Sequence, residues 1–229
     1  MIRTTVFLAL AGLLPSQALA AKIAPHRAIY DLQLDSRSEE SKFSTVEGRL
    51  AFEVDNAGCE GWTVSVRMAN RYTPLEGNVR LVDTQSTSFE TIDGTKYDYS
   101  EKTFVNQTLE SETRLKVSRA AAGAAGNGAM TLPRPLDFEV DSGSVFPMQH
   151  QLRIMNMAEM AEVRDTSLVF DGSEDEKPFR TITFIGKEKP PGSAKLDGAN
   201  TELVPLRPLR AWPVTMSYYD TAGDDQDTP

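Results

Sequence analysis

Apolar and polar residues alternate with a period of two through most of this chain, and that rhythm restricts it to half-buried β-strands. Ala28, Tyr30, Leu32 and Leu34 share one face of a first strand. Leu50, Phe52 and Val54 do so in the stretch from Gly48 to Val54. After the turn signal Asn56-Ala57-Gly58, Trp62, Val64, Val66 and Met68 line one face of the next strand, so the two stretches read as a hairpin. Strand signals continue at Val79 to Val82 and Thr87 to Ile92. Asp93-Gly94 then forms a hairpin turn before Tyr97 and Tyr99. Further alternation appears at Thr113 to Val117, Ser167 to Phe170, Arg180 to Ile185 and Ala211 to Tyr219, where Pro213 marks an edge or a bulge. The fold class is mainly β, in antiparallel strands, with no internal repeat and no linker dividing it.

Two segments break the rhythm. Ala120 to Gly128 offers almost no side chain to pack and is predicted to be a flexible surface loop. Pro147 to Glu162 is predicted to be a helix, with Pro147 suited to its first position. Leu152 and Met155 lie on one side of it, and Ile154, Met157, Ala158 and Ala161 on the other. Apolar groups wrapped around the axis call for burial on several sides, so Leu152 and Met155 are predicted core residues and the helix one of the most buried segments. Its methionines read as core filler.

The chain opens with an export signal. Arg3 provides a short positive region, Thr4 to Leu14 an apolar one, and Ala18-Leu19-Ala20 a small-residue cleavage site. The apolar run is far shorter than the roughly 20 residues that span a bilayer. Cleavage after Ala20 leaves residues 21–229 as a single domain in the periplasm. Of the 24 basic residues one lies in the leader, which has no acidic residue, so the mature chain carries 23 basic against 33 acidic residues, a net charge of −10. Such a surface repels nucleic acid and anionic lipid. The sole cysteine, Cys59, is unusual in an oxidising compartment. It is a free thiol, a partner for another chain, or half of a pair whose other half is absent.

No catalytic constellation is legible. The two histidines, His26 and His150, have no second ligand at metal-binding spacing, and His150 is expected to be buried and hydrogen-bonded. Nucleophile-elbow, S-x-x-K and phosphate-loop spacings are missing from the sequence. The acidic run Asp171 to Glu176 lacks the alternating ligands of a calcium loop and reads as a solvated turn. No catalytic, metal or cofactor residues are assigned, and no cofactor is expected.

Six stretches, in this order, resemble the EipB family of cell-envelope integrity proteins: His26 to Leu32, Gly58 to Trp62, Glu90 to Gly94 with Tyr97, Phe146-Pro147 with His150, Phe170 to Ser173, and Trp212 to Val214 with Ser217 to Asp220. The resemblance implies a periplasmic, non-catalytic protein. Its implied fold is a β-spiral, an incomplete barrel of antiparallel strands with one packed helix. It also implies association with a periplasmic tetratricopeptide-repeat protein. Relative to the family pattern this chain stops before the closing C-terminal strands and before the second cysteine. Cys59 is therefore a disulfide candidate without a partner in this chain, open to oxidative dimerisation if accessible or inert if buried. Two functions follow as expectations: support of envelope integrity through protein–protein interaction, or carriage of an apolar, lipid-like ligand in a pocket lined by Phe52, Trp62, Val64 and Met155.

N-terminal sequencing of protein recovered from the periplasm is expected to begin at Ala21, because Ala18 and Ala20 satisfy the signal-peptidase site. A first residue of Met1 contradicts the cleaved leader.

Overall fold

The computed structural model describes residues 22–36, 41–58, 60–174, 176–193, 206 and 208–221. The leader and Cys59 lie outside the described residues, so the expectations placed on them are not addressed by the fold. Eight strands follow one another as an antiparallel meander: β1 (His26–Gln33), β2 (Phe43–Asn56), β3 (Gly61–Pro74), β4 (Arg80–Thr91), β5 (Lys96–Val105), β6 (Thr108–Arg119), β7 (Gly126–Leu132) and β8 (Leu136–Val140). The sheet does not close, since β1 and β8 remain its two edges. A short strand β9 (Ser144–Val145) leads into helix α1 (Pro147–Glu159). Then β10 (Arg164–Val169), β11 (Phe179–Ile185) and β12 (Val214–Asp220) form a second sheet in the order β12-β11-β10-β9, in which β9 and β10 are parallel. This is the mainly antiparallel, incomplete barrel with one helix that the alternation and the resemblance predict.

Alternation decides the inner face. Val54, Trp62, Glu90, Tyr97, Leu115, Val117 and Met130 all project inward and are buried. Tyr97, Tyr99, Leu115, Val117, Met130, Val140, Phe146 and Phe170 form one cluster. Val54, Trp62 and Met148 form a second, against which Ile23, Phe52, Val64 and Leu152 pack. Ile154, Ala158 and Ile185 form a third, with Met157 and Trp212 beside it. Helix α1 contributes to the second and third clusters and thereby lies between the two sheets.

The glycine-rich segment is not a loop throughout. Only residues 120–125 connect strands, and Gly126, Asn127 and Gly128 begin β7. Gly126 and Gly128 are buried, and a Cβ on Gly128 would collide with the ring of Phe138. The missing side chains, which suggested flexibility, are what lets an aromatic ring lie flat on the strand. The helix also ends earlier than its composition suggests, at Glu159, because Ala161 takes a left-handed φ of 58° and turns the chain toward β10. Its burial is one-sided. Met148, His150, Ile154 and Ala158 are buried, Leu152 and Met155 are half-buried, and Gln151, Arg153 and Glu159 face solvent. The apolar circumference counted from sequence overstates the contact, because methionines and alanines fill intermediate positions.

Ile154→Asp is expected to destabilise the protein by about 4 kcal/mol, since it places a carboxylate at a site that is 3% exposed. Leu152→Asp is expected to cost clearly less, because a half-buried carboxylate can reach water. Urea denaturation of both variants checks the order, and equal losses contradict it.

Candidate functional site

The first turn of α1 is the point where the fold is least ordinary. Its N-cap is Phe146, which has no capping side chain, and the first turn contains no acidic residue. The first helical N–H groups of any helix lack intrahelical acceptors and need partners from elsewhere. Here the partner comes from β4. Glu90, 1% exposed, accepts the Met148 N–H at 2.8 Å on Oε2 and the Gln149 N–H at 2.9 Å on Oε1. A carboxylate at a helix N-terminus is also favoured by the helix dipole. Burial nonetheless pushes the Glu90 carboxyl up to about 7, against the lowering effect of both backbone N–H bonds and of Arg119.

Arg119 braces the same corner. Its Nε donates to the Gly94 carbonyl at 2.6 Å and its Nη1 to the Ser144 carbonyl at 2.7 Å, while the guanidinium lies 3.8 Å from the centroid of the Phe146 ring. Gly94 turns the β4–β5 hairpin at a φ of +64°, so the motif Asp93-Gly94 does double service: it makes the turn and offers its carbonyl to Arg119. Phe146 stacks on Tyr97 at 5.0 Å, and the Tyr97 hydroxyl donates to the Asp171 carbonyl at 2.8 Å. Gly172 approaches the Tyr99 ring so closely that a Cβ would sit 2.9 Å from it.

A second buried polar group fastens α1 to β10 and β11. Asp165, 3% exposed, accepts from Ser167 Oγ at 2.6 Å and from Arg153 Nε at 2.7 Å. His150 Nε2 lies 3.4 Å from Asp165 Oδ2 and 3.4 Å from Thr181 Oγ1. Burial pulls the His150 pKa below its ordinary value, outweighing the nearby Asp165 charge. Burial acts to raise the Asp165 carboxyl, but the Ser167 and Arg153 hydrogen bonds and the Arg153 and His150 charges hold it below the usual range. The Ser167 hydroxyl donates to the carboxylate and not to the imidazole, and Thr181 has no exposed surface. The set therefore lacks the accessible nucleophile–base pair that turnover needs, and it is suited to docking the helix. Among the described residues no group of His, Cys, Asp or Glu is arranged to hold a metal ion, and no helix is long and apolar enough to cross a membrane.

The outer face of the large sheet is charged and laced with exposed ion pairs, among them Arg49–Asp31 at 2.7 Å and Arg67–Asp83 at 2.8 Å. A hollow of about 450 Å³ on it is lined by Glu47, Arg71, Leu81, Asp83, Gln85 and Phe104. Phe52, Trp62 and Val64, expected to line an apolar pocket, close instead over Met148 and Leu152 of α1. Met155 belongs to none of the three clusters. Beyond the helix the inner face remains open, and Met68 and Tyr30 are 37% and 53% exposed. The edge strand β12 presents Val214, Tyr218 and Tyr219, each about half exposed.

His150 is buried and hydrogen-bonded as the sequence predicts. Glu90, Arg119 and Asp165 are functional to the architecture and were not singled out by chemical motif. The one available signal was a carboxylate on the inward face of a strand, at Glu90, and a helix start without a capping residue at Phe146. Residues from four of the six stretches that carry the family resemblance meet at this corner: Trp62, Glu90, Gly94, Tyr97, Phe146, His150, Phe170 and Gly172 surround the start of α1.

An open, curled antiparallel sheet whose interior is filled by its own helix defines a β-barrel-like protein without a free central cavity at that end. Residues 17–229 match the EipB-like family, and the chain belongs to that family. It is 32% identical over 218 residues to the cell envelope integrity protein EipB of Brucella abortus (strain 2308), an alignment that covers 93% of this chain and 74% of that protein. It also superposes on the crystal structure of a β-barrel-like protein of the domain of unknown function DUF1849 from Brucella abortus, with a TM-score of 0.79 and 30% identity over 88% of this chain and 83% of the other.

Glu90 sets a pH dependence whose sign is fixed. Its carboxyl titrates at about 7 when folded and near 4.5 when unfolded, so the folded state holds a proton that the unfolded state releases. The stability it contributes is complete below about pH 4.5, falls as pH rises toward 7, and is level above, a change of about 3 kcal/mol. The stability difference between wild type and Glu90→Gln, measured by urea denaturation across this range, is expected to shrink by that order. A pH-independent difference contradicts the buried carboxyl.

Proposed function

We propose that this protein is a non-catalytic component of the bacterial periplasm that supports cell-envelope integrity by binding other proteins through exposed strand edges. The exposed aromatic edge of β12 carries this reading. Val214 and Tyr218 belong to the face that β11 buries with Thr181, Thr183 and Ile185, yet on β12 they are 46% and 59% exposed. Tyr219 is 50% exposed on the opposite face. Among the described residues β12 pairs only with β11, so its outer edge offers backbone donors and acceptors beside aromatic anchors, the combination that strand-addition partners recognise. Membership of the EipB-like family, the name of the Brucella abortus relative and the export signal in the sequence support the envelope setting. The periplasmic tetratricopeptide-repeat protein implied by the resemblance is one partner within this reading.

A second reading, binding of an apolar ligand, has one observation in its favour: Leu50, Val66 and Met68 continue the inward apolar face past the end of the helix, and Met68 is 37% exposed. The interior space nearer Trp62 is occupied by α1 itself.

Affinity purification of the mature chain from periplasmic extract, with native mass spectrometry of the same preparation, separates the two. Specific protein partners that are lost on Tyr218→Ser together with Tyr219→Ser are expected. Recovery of no specific protein contradicts the leading reading, and a retained lipid mass favours the second.

A further inference from the structure

We propose that β1 is a self-complementary edge through which two copies of this chain join their sheets around a two-fold axis at Ile29. Among the described residues β1 pairs only with β2. The Leu34 N–H, just beyond the strand, donates to the Val46 carbonyl directly opposite in the same register. In an antiparallel ladder alternate residues turn their backbone groups to the same side, so even-numbered residues of β1 face β2. Arg27, Ile29 and Asp31 therefore turn their N–H and C=O groups to the unpaired side. A two-fold axis at Ile29 sets Ile29 against Ile29, and Arg27 against Asp31 of the second copy, each pair exchanging both backbone hydrogen bonds.

The side chains match this register. Within one chain Arg27 lies opposite Glu53 and Asp31 opposite Arg49, with ion-pair distances of 3.9 and 2.7 Å. Across the proposed junction the outer face reads Glu53, Arg27, then Asp31 and Arg49 of the second copy, four charges of alternating sign. Opposite charges directly across a ladder are favourable and like charges unfavourable. Moving the axis by one residue, to Ala28 or Tyr30, leaves Arg27 and Asp31 opposite uncharged residues, and moving it by two sets Arg27 against Arg27 or Asp31 against Asp31, so the axis at Ile29 is the one that pairs opposite charges. On the inner face the small Ala28 receives Tyr30 of the second copy, which extends the row formed with Phe52 and Leu50. Ile29 and Tyr30 are 57% and 53% exposed, and both become covered. Pro25, which has no N–H, falls opposite Gln33 and ends the ladder.

The junction is distinct from the β12 edge, and its failure leaves the partner-binding reading intact. The test is analytical ultracentrifugation of the mature chain, in a Cys59→Ser background with reductant, over a concentration range reaching about 200 µM, in the range where weak dimers form. Wild type is expected to dimerise. Arg27→Asp alone and Asp31→Arg alone are each expected to weaken dimerisation at least tenfold, because each variant opposes like charges across the junction. An equimolar mixture of the two is expected to dimerise again, since the mixed pair restores opposite charges at both ends. The mixture also shows that each variant is folded. A wild-type monomer throughout the range, variants that dimerise like wild type, or a mixture that stays monomeric overturns the proposal.

Discussion

The pair of hydrogen bonds that the buried Glu90 carboxyl group accepts at the start of α1 is the interaction on which the arrangement of both sheets depends. It links a strand in the middle of the large sheet to a helix that follows 58 residues later, through the amides of Met148 and Gln149. These are the donors that a local Ser, Thr, Asp or Asn cap would serve, and Phe146 cannot serve them. Once this end of the helix is held, Met148 fills the space beneath Trp62 and Val54, and Ile154 and Ala158 meet Ile185 of the second sheet. The Asp165, Arg153 and His150 group fixes the other side of the same helix. Removing one member of such a buried polar set leaves its partners uncompensated, which costs more than the net worth of each bond.

Most of the strand content was legible in the sequence because a curled sheet with one wet face imposes strict alternation. The run Trp62, Val64, Val66, Met68 and the turns at Gly58 and Gly94 announce their positions with local chemistry alone. What stayed hidden is non-local. Gly128 looks like a loop residue until Phe138, from the neighbouring strand, is laid over it, and Gly126 until Val117 and Arg119 of β6 close on it. The end of α1 depends on the left-handed turn at Ala161, a conformation that alanine does not advertise. Asp165 alternates as an ordinary strand residue, and only its neighbours on α1 reveal that it is buried.

The same packing shapes the functional reading. A curled sheet invites the idea of a ligand cavity, but here the chain fills much of that volume with its own helix. The surfaces that remain uncommitted are edges and the open stretch of the inner face around Tyr30 and Met68. The charged outer face, with its exposed ion pairs, adds solubility more than stability.

Amide hydrogen exchange at Met148 and Gln149 tests the central claim most directly. In a helix without a cap the first amides exchange at the rate of fraying ends, because they have no intrahelical acceptor. If Glu90 holds them, both amides exchange only with global unfolding, as slowly as the core strands β5 and β6. Exchange at those two positions on the timescale of open loops, with the core still protected, contradicts the account.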